Sequence, residues 1–343
     1  MSQRSAKTNN LKPTAHALIW QGQAPSWMPQ IPTPVTGSWW TDPVFLSNCQ
    51  YMKQYISAAM KQVIQLSAGD PNYFHSIFFV NEFVDPYTIA YNSVCYSGGP
   101  FQPAGVNCTQ SVPANYMGQI FQYAAQYNTY WSQQLGLPKT NAKFGINETG
   151  AETDQFGALV QQGILSVVQA MKSFGVQLDA VGLECHLQPQ MMNNPYEPDW
   201  TNFGNFIQQL GNLGVEVHLT ELDVLDYENG CWGSAQRSID SDNLTSAYYS
   251  SFLQKVLSYT AVKSVCFWDF SDRYSFYRTL DESTWFGYNS ITNPKPTSNP
   301  PRCYIMPSAA NVTCARADFY DDQMVAKIGR QSISNALSGA PTR

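Results

Sequence analysis

The chain has 343 residues, enough for one large α/β barrel or for two domains of ordinary size. Charged residues make up only 13% of it and the net charge is −6, without any block of Lys or Arg, so a nucleic-acid partner is not expected. No apolar run approaches the roughly 20 residues of a membrane-spanning helix, so a membrane partner is not expected either.

Short apolar runs alternate with longer helical patterns along the chain. The predicted strands cover residues 15–20, 76–84, 142–148, 178–187, 215–224 and 262–270. The predicted helices cover residues 43–67, 114–134, 154–175, 202–213, 244–260 and 318–337. About six strand–helix units in succession indicate parallel strands with helices outside the sheet. No linker or repeat divides the chain, so residues 1–343 are expected to form a single domain.

Side chains with functional groups end nearly every predicted strand. They are Trp20, Gln21, Asn81, Glu82, Asn147, Glu148, His186, Glu221, Asp223, Trp268 and Asp269. Functional residues that converge from the carboxyl ends of many strands are typical of a (β/α)₈ barrel. A doubly wound sheet would also repeat βα units, but no GxGxxG motif follows the first strand. Because only about six of the eight units are found, we predict an α/β fold with an incomplete TIM barrel.

Eight cysteines indicate disulfides and an oxidising compartment. Cysteines that flank loops and are expected to pair are Cys95 with Cys108 and Cys303 with Cys314. Cys49 and Cys231 have no assigned partner. Cys185 and Cys266 lie in strand-like runs and are expected to be buried free thiols.

Possible glycosylation sites support the same compartment. Sequons occur at Asn107, Asn147, Asn243 and Asn311. Together with the cysteines they predict an extracellular glycoprotein, although the polar start MSQRSAKTNN is not a signal peptide. Asn147 ends a predicted strand, so we expect it in or near a cleft and not bearing a glycan.

The composition suits a carbohydrate ligand. Tyr is abundant (20 residues), and Asn and Gln are plentiful where charged residues are few. Amides hydrogen-bond to sugar hydroxyls, and aromatic rings pack against the C–H faces of sugars. A secreted protein of low charge with no such ligand would explain the composition equally well.

Two glutamates stand out among the strand ends. Glu82 follows the apolar run IFFV, and Glu221 lies close in sequence to Asp223 and His218. Glycoside hydrolysis needs two carboxyl groups at one bond, an acid in an apolar setting and a hydrogen-bonded, ionised partner. The alternative is that both are structural carboxylates that cap a helix or pair with Arg.

Five motifs carry a resemblance to a known family. The segments HALIWQGQAPSW, FFVNEFV, GLECHL, HLTELDV and CFWDFSDRYSF occur in the order and approximate spacing of the endo-β-1,4-xylanase family, glycoside hydrolase family 10. The similarity extends from about Thr14 to Leu337. It implies a (β/α)₈ barrel that hydrolyses internal bonds of xylan with retention, without a cofactor or metal, as a secreted monomer that binds a polysaccharide.

The resemblance also implies roles for single residues. Glu82 would be the acid/base and Glu221 the nucleophile, with their carboxyl groups about 5–5.5 Å apart. The implied substrate-binding residues are His16, Trp20, Gln23, Asn81, His186, Trp268 and Phe276. The implied supporting residues are Asp223, Glu184 and Asn147, of which Asp223 would orient His186. His75 and His218 match no family role and are interpreted as structural.

The sequence departs from the family pattern at several points. Gln21 replaces a His, Ile77 and Phe78 replace Trp-Asp, and Phe276 replaces a Trp. Glu184 replaces a Gln, which would bring a third carboxylate near the nucleophile and either shift the pH optimum or weaken the activity. These changes leave open a hydrolase that acts on another β-glycan.

The start of the barrel has no counterpart in the sequence. Only about a dozen residues precede the segment AHALIW, so the first two βα units are missing, including a Glu-Asn-x-x-Lys segment that grips the sugar. We therefore expect a truncated or naturally shortened barrel. A non-catalytic glycan-binding remnant is the alternative that this absence favours.

Overall fold

The computed structural model describes residues 11–20, 43–84, 112–153, 157–187, 198–224, 239–268, 326 and 328–340. The strands are β1 (Thr14–Ala15), β2 (Ile19–Trp20), β3 (Ser76–Asn81), β4 (Lys143–Glu148), β5 (Ala180–Leu183), β6 (His186–Leu187), β7 (Glu216–Val224) and β8 (Val262–Phe267). The helices are α1 (Pro43–Ser67), α2 (Val112–Leu135), α3 (Gly157–Ser173), α4 (Trp200–Asn212), α5 (Ile239–Val256) and α6 (Ile328–Ser338). Within these ranges, no helix is both long enough and apolar enough to cross a membrane.

Strands and helices alternate as predicted, and every strand pair with a described register is parallel. Two predicted strands are interrupted. The first, predicted over 15–20, is two short strands that both pair with β3. The run 178–187 forms β5 and β6, because Cys185 between them has a φ of 57° and leaves the extended conformation.

The chain divides into two compact units. The first comprises Met1–Ala151, Phe156–Leu183 and Phe206–His218, and the second comprises Glu152–Gln155, Glu184–Asn205 and Leu219–Arg343. The expectation of a single domain over residues 1–343 stays a prediction.

The first unit has a parallel sheet in which β3 lies beside β4, and β4 beside β5. All six residues of β3 are buried, as expected for a parallel strand covered on both faces. Phe79 packs edge-on against Phe121 and Phe144, with ring centroids 5.2 and 5.0 Å apart. This core holds the carboxyl ends of β3 and β4, and therefore Asn81, Glu82 and the strand-end residues of β4, in fixed positions.

Phe78, where the family pattern has Asp, lies across a glycine of the neighbouring strand. Its ring is fully buried and makes edge contacts with His16 and His218, each at 5.7 Å between centroids. A Cβ atom at Gly145 would lie 2.6 Å from this ring and 3.1 Å from the carbonyl oxygen of Ala180. Glycine at position 145 is thus what allows Phe78 to occupy the core.

In the second unit, the end of β7 pairs with β6 in the register His186↔Asp223 and Leu187↔Val224. Strand β8 also pairs with β7. Helices α5 and α6 pack together, and the hydroxyls of Ser246 and Ser332 lie 2.6 Å apart. The β6–β7 register places an imidazole and a carboxylate directly opposite each other.

We predict that Gly145→Ala destabilises the protein by about 1–3 kcal/mol, because the added methyl group forces the Phe78 ring and a neighbouring backbone apart. Urea unfolding of the two proteins measures the difference. Gly118→Ala is the matched control, since its Cβ would meet Phe174 at an ordinary 3.6 Å. Equal stability of Gly145→Ala and wild type would contradict this packing.

Candidate active site

Glu82 follows β3 directly and has an unusual backbone conformation. Its φ is 47°, in the left-handed region that non-glycine residues rarely occupy. Its N–H donates to the carbonyl oxygen of Asn147 at 3.0 Å, which anchors the turn to the end of β4. Non-glycine residues in this region persist where the surrounding structure holds them, often at functional sites.

Two side chains from neighbouring strands hold the Glu82 carboxylate, which is partly exposed. The indole Nε1–H of Trp20 donates to Oε2 at 2.9 Å, and the amide of Asn81 lies 3.5 Å from Oε1. Asn147 in turn donates to Oδ1 of Asn81 at 2.6 Å. The structure therefore brings together the predicted residues Trp20, Asn81, Glu82 and Asn147.

Asn147 is completely buried and bonded to Asn81. A glycosylated amide must reach solvent, so this position agrees with the expectation that Asn147 carries no glycan. The other three sequons have no described side chain at their Asn residue.

Glu148 ends a predicted strand, but the sequence assigns it no role. It is buried, and it accepts N–H groups from Val84 at 2.7 Å and from Thr149 at 3.0 Å. It thus ties down the backbone that follows Glu82. Burial raises the pKa of Glu148 well above its ordinary value, the two backbone N–H groups oppose this, and the charge of Glu82 adds to it. A carboxylate at the end of a buried strand was the signal that could have identified this residue.

Two histidines of the first unit, His16 and His218, pack against Phe78, and His75 packs against His218. His16 contacts Phe78, and the rings of His75 and His218 lie 5.1 Å apart. Burial lowers the pKa of His218 to about 4, so it is neutral at ordinary pH. Gln23 and Phe276 lie outside the described residues.

The second unit contains a buried group of carboxylates around one imidazole. Nδ1 of His186 lies 3.0 Å from Oδ2 of Asp223. Its Nε2 lies 3.3 Å from Oε2 of Glu221 and 3.5 Å from Oε2 of Glu184. Side-chain exposure is between 2% and 7% for all four groups. The predicted residues Glu184, His186, Glu221 and Asp223 are therefore in direct contact.

These carboxylates keep the imidazole charged. Burial alone would lower the pKa of His186, but the charge and hydrogen bond of Asp223, the hydrogen bond to Glu221 and the charge of Glu184 outweigh it. The pKa is raised well above its ordinary value. An imidazolium at this position favours the ionised form of Glu221.

Further groups lie against the His186 cluster. Trp268 makes an edge contact with His186 at 6.3 Å between ring centroids. Glu152 is buried, and its Oε2 has no hydrogen-bond partner. Burial raises the pKa of Glu152 to about 7, the charge of His186 opposes this, and that of Asp223 adds to it. The sequence did not single out Glu152, because no strand-end pattern marks it.

Cys185 and Cys266 are free, as predicted, and Cys185 is buried. The prediction that Cys266 is buried is wrong, because its side chain is exposed. Strand β8 is only partly buried, whereas β3 is buried throughout, so apolar composition overstated the burial there. The cysteines expected to form disulfides lie outside the described residues.

One part of the cluster has donor atoms at metal-binding spacing. A nitrogen of His186 and carboxylate oxygens of Glu184 and Glu221 all lie within 4.8 Å of one another. A metal bound there would coordinate the Glu221 carboxylate. That the site takes no metal stays a prediction.

We predict that Asp223→Asn lowers the pKa of His186, because it removes the largest contribution that opposes burial. NMR titration of histidine-labelled protein measures this, with only four histidines to resolve. His218 is an internal control in the same spectra, and its pKa should stay near 4. An unchanged pKa of His186 would contradict the pairing with Asp223.

Comparison with known proteins identifies the family of the chain. The family model of glycosyl hydrolase family 10 matches residues 2–300. The endo-1,4-β-xylanase Y of Acetivibrio thermocellus is 24% identical over 305 residues, which cover 85% of this chain and 25% of that protein. The exoglucanase XynX of the same organism is 25% identical over 219 residues, 64% of this chain and 17% of that protein. The chain thus matches a quarter or less of the length of these curated relatives.

The solved structures confirm the fold class. The endo-1,4-β-xylanase XylE of Penicillium canescens superposes with a TM-score of 0.63 at 17% identity, over 99% of this chain and 78% of XylE. The predicted α/β TIM-barrel fold is therefore confirmed for this chain. With a family model matched over most of its length, the chain belongs to glycosyl hydrolase family 10.

Proposed function

We propose that the chain is a retaining endo-1,4-β-xylanase that cleaves internal bonds of xylan by double displacement. The observation that carries the proposal is the position of Glu221, a buried carboxylate 3.3 Å from an imidazole that Asp223 and its neighbours keep protonated. The names of relatives in the same family support xylan as the substrate.

Glu221 is the nucleophile in this proposal. A nucleophilic carboxylate has to be ionised when the sugar binds, and the imidazolium of His186 stabilises that form. Its attack on the anomeric carbon forms a glycosyl ester while the leaving oxygen receives a proton. Water then hydrolyses the ester and restores the configuration of the sugar.

Glu82 is the acid/base. It gives its proton to the leaving oxygen in the first step and takes a proton from water in the second. Trp20 and Asn81 orient its carboxyl group, and Glu148 holds the backbone beyond it. Retaining enzymes have their two carboxyl groups about 5–5.5 Å apart. The proposal therefore requires this separation between Glu82 and Glu221 when the substrate is bound.

Sugar-binding roles follow from the same proposal. We assign contacts with the substrate to His16, Asn81, His186 and Trp268, and also to Trp20, whose indole N–H is bonded to Glu82 while its ring remains partly exposed. Gln23 and Phe276 keep their proposed roles as substrate-binding residues. No cofactor takes part, and the protein acts as an extracellular monomer. The eight cysteines and four sequons support this location.

A different β-glycan is the second candidate substrate. One relative at 25% identity bears the name exoglucanase, which favours glucan as the alternative to xylan. The departures from the family pattern at Glu184 and Phe276 are also compatible with a substrate other than xylan. A panel of β-1,4-xylan and β-1,4-glucan distinguishes the two candidates.

We predict that wild type releases soluble oligosaccharides from β-1,4-xylan and that Glu221→Ala releases none, because the nucleophile is absent. Glu82→Ala should lose about 10²–10⁴-fold, the usual contribution of a general acid/base. Reducing-sugar release and product chromatography measure both. Glu216→Ala is the control on the same strand, since Glu216 is bonded to Lys143 and to His218.

Each outcome bears on the proposal. Release of glucan oligosaccharides but not of xylan oligosaccharides would show that the substrate is a glucan, and the proposed mechanism would be unchanged. No release from a wild-type chain shown to be folded would overturn the enzyme reading and leave a glycan-binding protein. Equal activity of Glu221→Ala and wild type would overturn the assignment of the nucleophile.

A further inference from the structure

Aromatic side chains form a patch on α2 in the first unit, beside α1. They are Tyr123, Tyr127, Tyr130 and Trp131, which together are called the α2 aromatic patch. Ring contacts join Tyr127 to Tyr130 at 6.2 Å and Tyr130 to Trp131 at 4.9 Å between centroids. Tyr130 is 47% exposed, and the other three side chains are partly exposed. The patch therefore presents aromatic ring surface to solvent.

The rings share one face of α2 with exposed glutamines. Gln119, Tyr123, Gln126, Tyr130 and Gln134 recur at intervals of three or four residues, which places them along one side of the helix. All three glutamines are exposed. A different face of α2 packs against β3 in the core. Because aromatic rings pack against the C–H faces of sugars and amides bond to sugar hydroxyls, this face suits a glycan chain.

Contacts with α1 hold the rings in place. The indole Nε1–H of Trp131 donates to Oγ of Ser57 at 3.0 Å, and Nζ of Lys61 lies 4.7 Å from the centre of the Trp131 ring. Nζ of Lys53 lies 5.3 Å from the centre of the Tyr123 ring. A ligand that packs against rings already held in position pays little for ordering side chains. The patch is thus arranged before a ligand binds.

The same contacts place two cations beside the rings. Lys53 and Lys61 are the charged residues of α1, and α2 has none, although the whole chain has a net charge of −6. Among the described ion pairs, neither of these two lysines takes part. A ligand that carries carboxylates complements this face, while the negative charge of the chain as a whole disfavours its binding elsewhere.

We propose that the α2 aromatic patch is a glycan-binding site for a β-1,4-xylan chain with uronic acid branches, and that it does not include the residues assigned to catalysis. The choice of xylan rests on the proposed function. Sugar rings of the main chain pack against Tyr127 and Tyr130, and the exposed glutamines bond to their hydroxyls. Lys53 and Lys61 pair with the carboxylates of the branches. A second contact with the same polymer raises the local concentration of substrate at the protein.

Two matched polysaccharides test the recognition of charge. One is glucuronoxylan, and the other is the same polymer after chemical reduction of its carboxyl groups to alcohols. Affinity electrophoresis measures binding as the retardation in a gel with polymer relative to a gel without it. Every protein in these gels carries Glu221→Ala, so that the polymers stay intact and any binding at the catalytic residues is common to all variants.

We expect Tyr130→Ala to bind both polymers about threefold more weakly, as for the loss of roughly 30 Å² of apolar contact. Lys53→Gln with Lys61→Gln should bind the reduced polymer as the parent protein does. Its affinity for glucuronoxylan should fall by about twofold to fivefold for each lysine, the usual contribution of an exposed charge pair. In about 1 M salt the lysine effect should disappear and the Tyr130 effect should remain, because salt screens exposed charges.

Two control variants lie outside the patch. Phe174→Ala removes another exposed aromatic ring, and Lys172→Gln removes an exposed lysine of α3. Both should be retarded as the parent protein is. Thermal unfolding shows that each variant is folded, and truncation of the exposed Tyr130 should leave the Tm near that of the parent. Sedimentation velocity tests a second copy of the chain as the occupant. A dimer that Tyr130→Ala dissociates would overturn the glycan site.

Activity separates the patch from the catalytic residues. With Glu221 intact, Tyr130→Ala should hydrolyse a chromogenic xylobioside with the kcat/KM of wild type, since so short a substrate needs the catalytic residues alone. A lower kcat/KM would place Tyr130 in the catalytic site and overturn the proposal of a separate one.

The remaining outcomes decide between the two proposals. Equal retardation of Tyr130→Ala and the parent, in a chain that hydrolyses xylan, would overturn the glycan site and leave the proposed function. An unchanged affinity of the double lysine variant for glucuronoxylan would overturn the acidic ligand. Retardation that depends on Tyr130 in a chain that hydrolyses no xylan would support the glycan site and overturn the proposed function.

Discussion

The pairing of one buried imidazolium with the carboxylates around it is the constraint on which the candidate site depends. Removing a carboxylate from water costs several kcal/mol unless a partner compensates. His186 is in contact with three carboxylates, and its charge offsets part of the cost of burying them. The contact between His186 and Glu221 therefore links the stability of the cluster to the chemistry proposed for Glu221.

The backbone supplies the positions that this pairing needs. The β6–β7 register sets His186 opposite Asp223. Glu221 precedes Asp223 by two residues and therefore lies on the same face of β7. In the first unit, the turn after β3 presents Glu82, and the buried Glu148 holds the backbone that follows. Glu82 directly follows β3 and Cys185 directly precedes β6, and both have left-handed backbones, with φ of 47° and 57°. Non-glycine residues that are held in the left-handed region cluster at functional sites.

Much of this arrangement was predictable from the sequence, and the reasons are physical. Polar residues at the ends of apolar runs identified Glu82, Glu221 and His186, because such residues meet at the carboxyl ends of parallel strands. The departure at Glu184 predicted a third carboxylate near Glu221, and the two share a ring nitrogen of His186.

Other features depend on contacts that no pattern records. The bond from Trp20 to Glu82 joins residues 62 positions apart, and side-chain direction decides it. The break at Cys185 depends on one backbone angle inside an otherwise continuous apolar run. The burial of Glu152 and the exposure of Cys266 are set by tertiary packing, which composition does not determine.

The central claim is that Glu221 forms a covalent bond with the sugar, and covalent trapping tests it most directly. A 2-fluoro-substituted β-xylobioside with a good leaving group slows breakdown of a glycosyl ester, so the ester accumulates on the nucleophile. Mass spectrometry of the intact protein and of its peptides then locates the added sugar. We predict one added 2-fluoro-xylobiosyl group per chain, on the peptide that contains Glu221. A modified Glu184 or Glu82, or no adduct on a chain that hydrolyses xylan, would contradict the account.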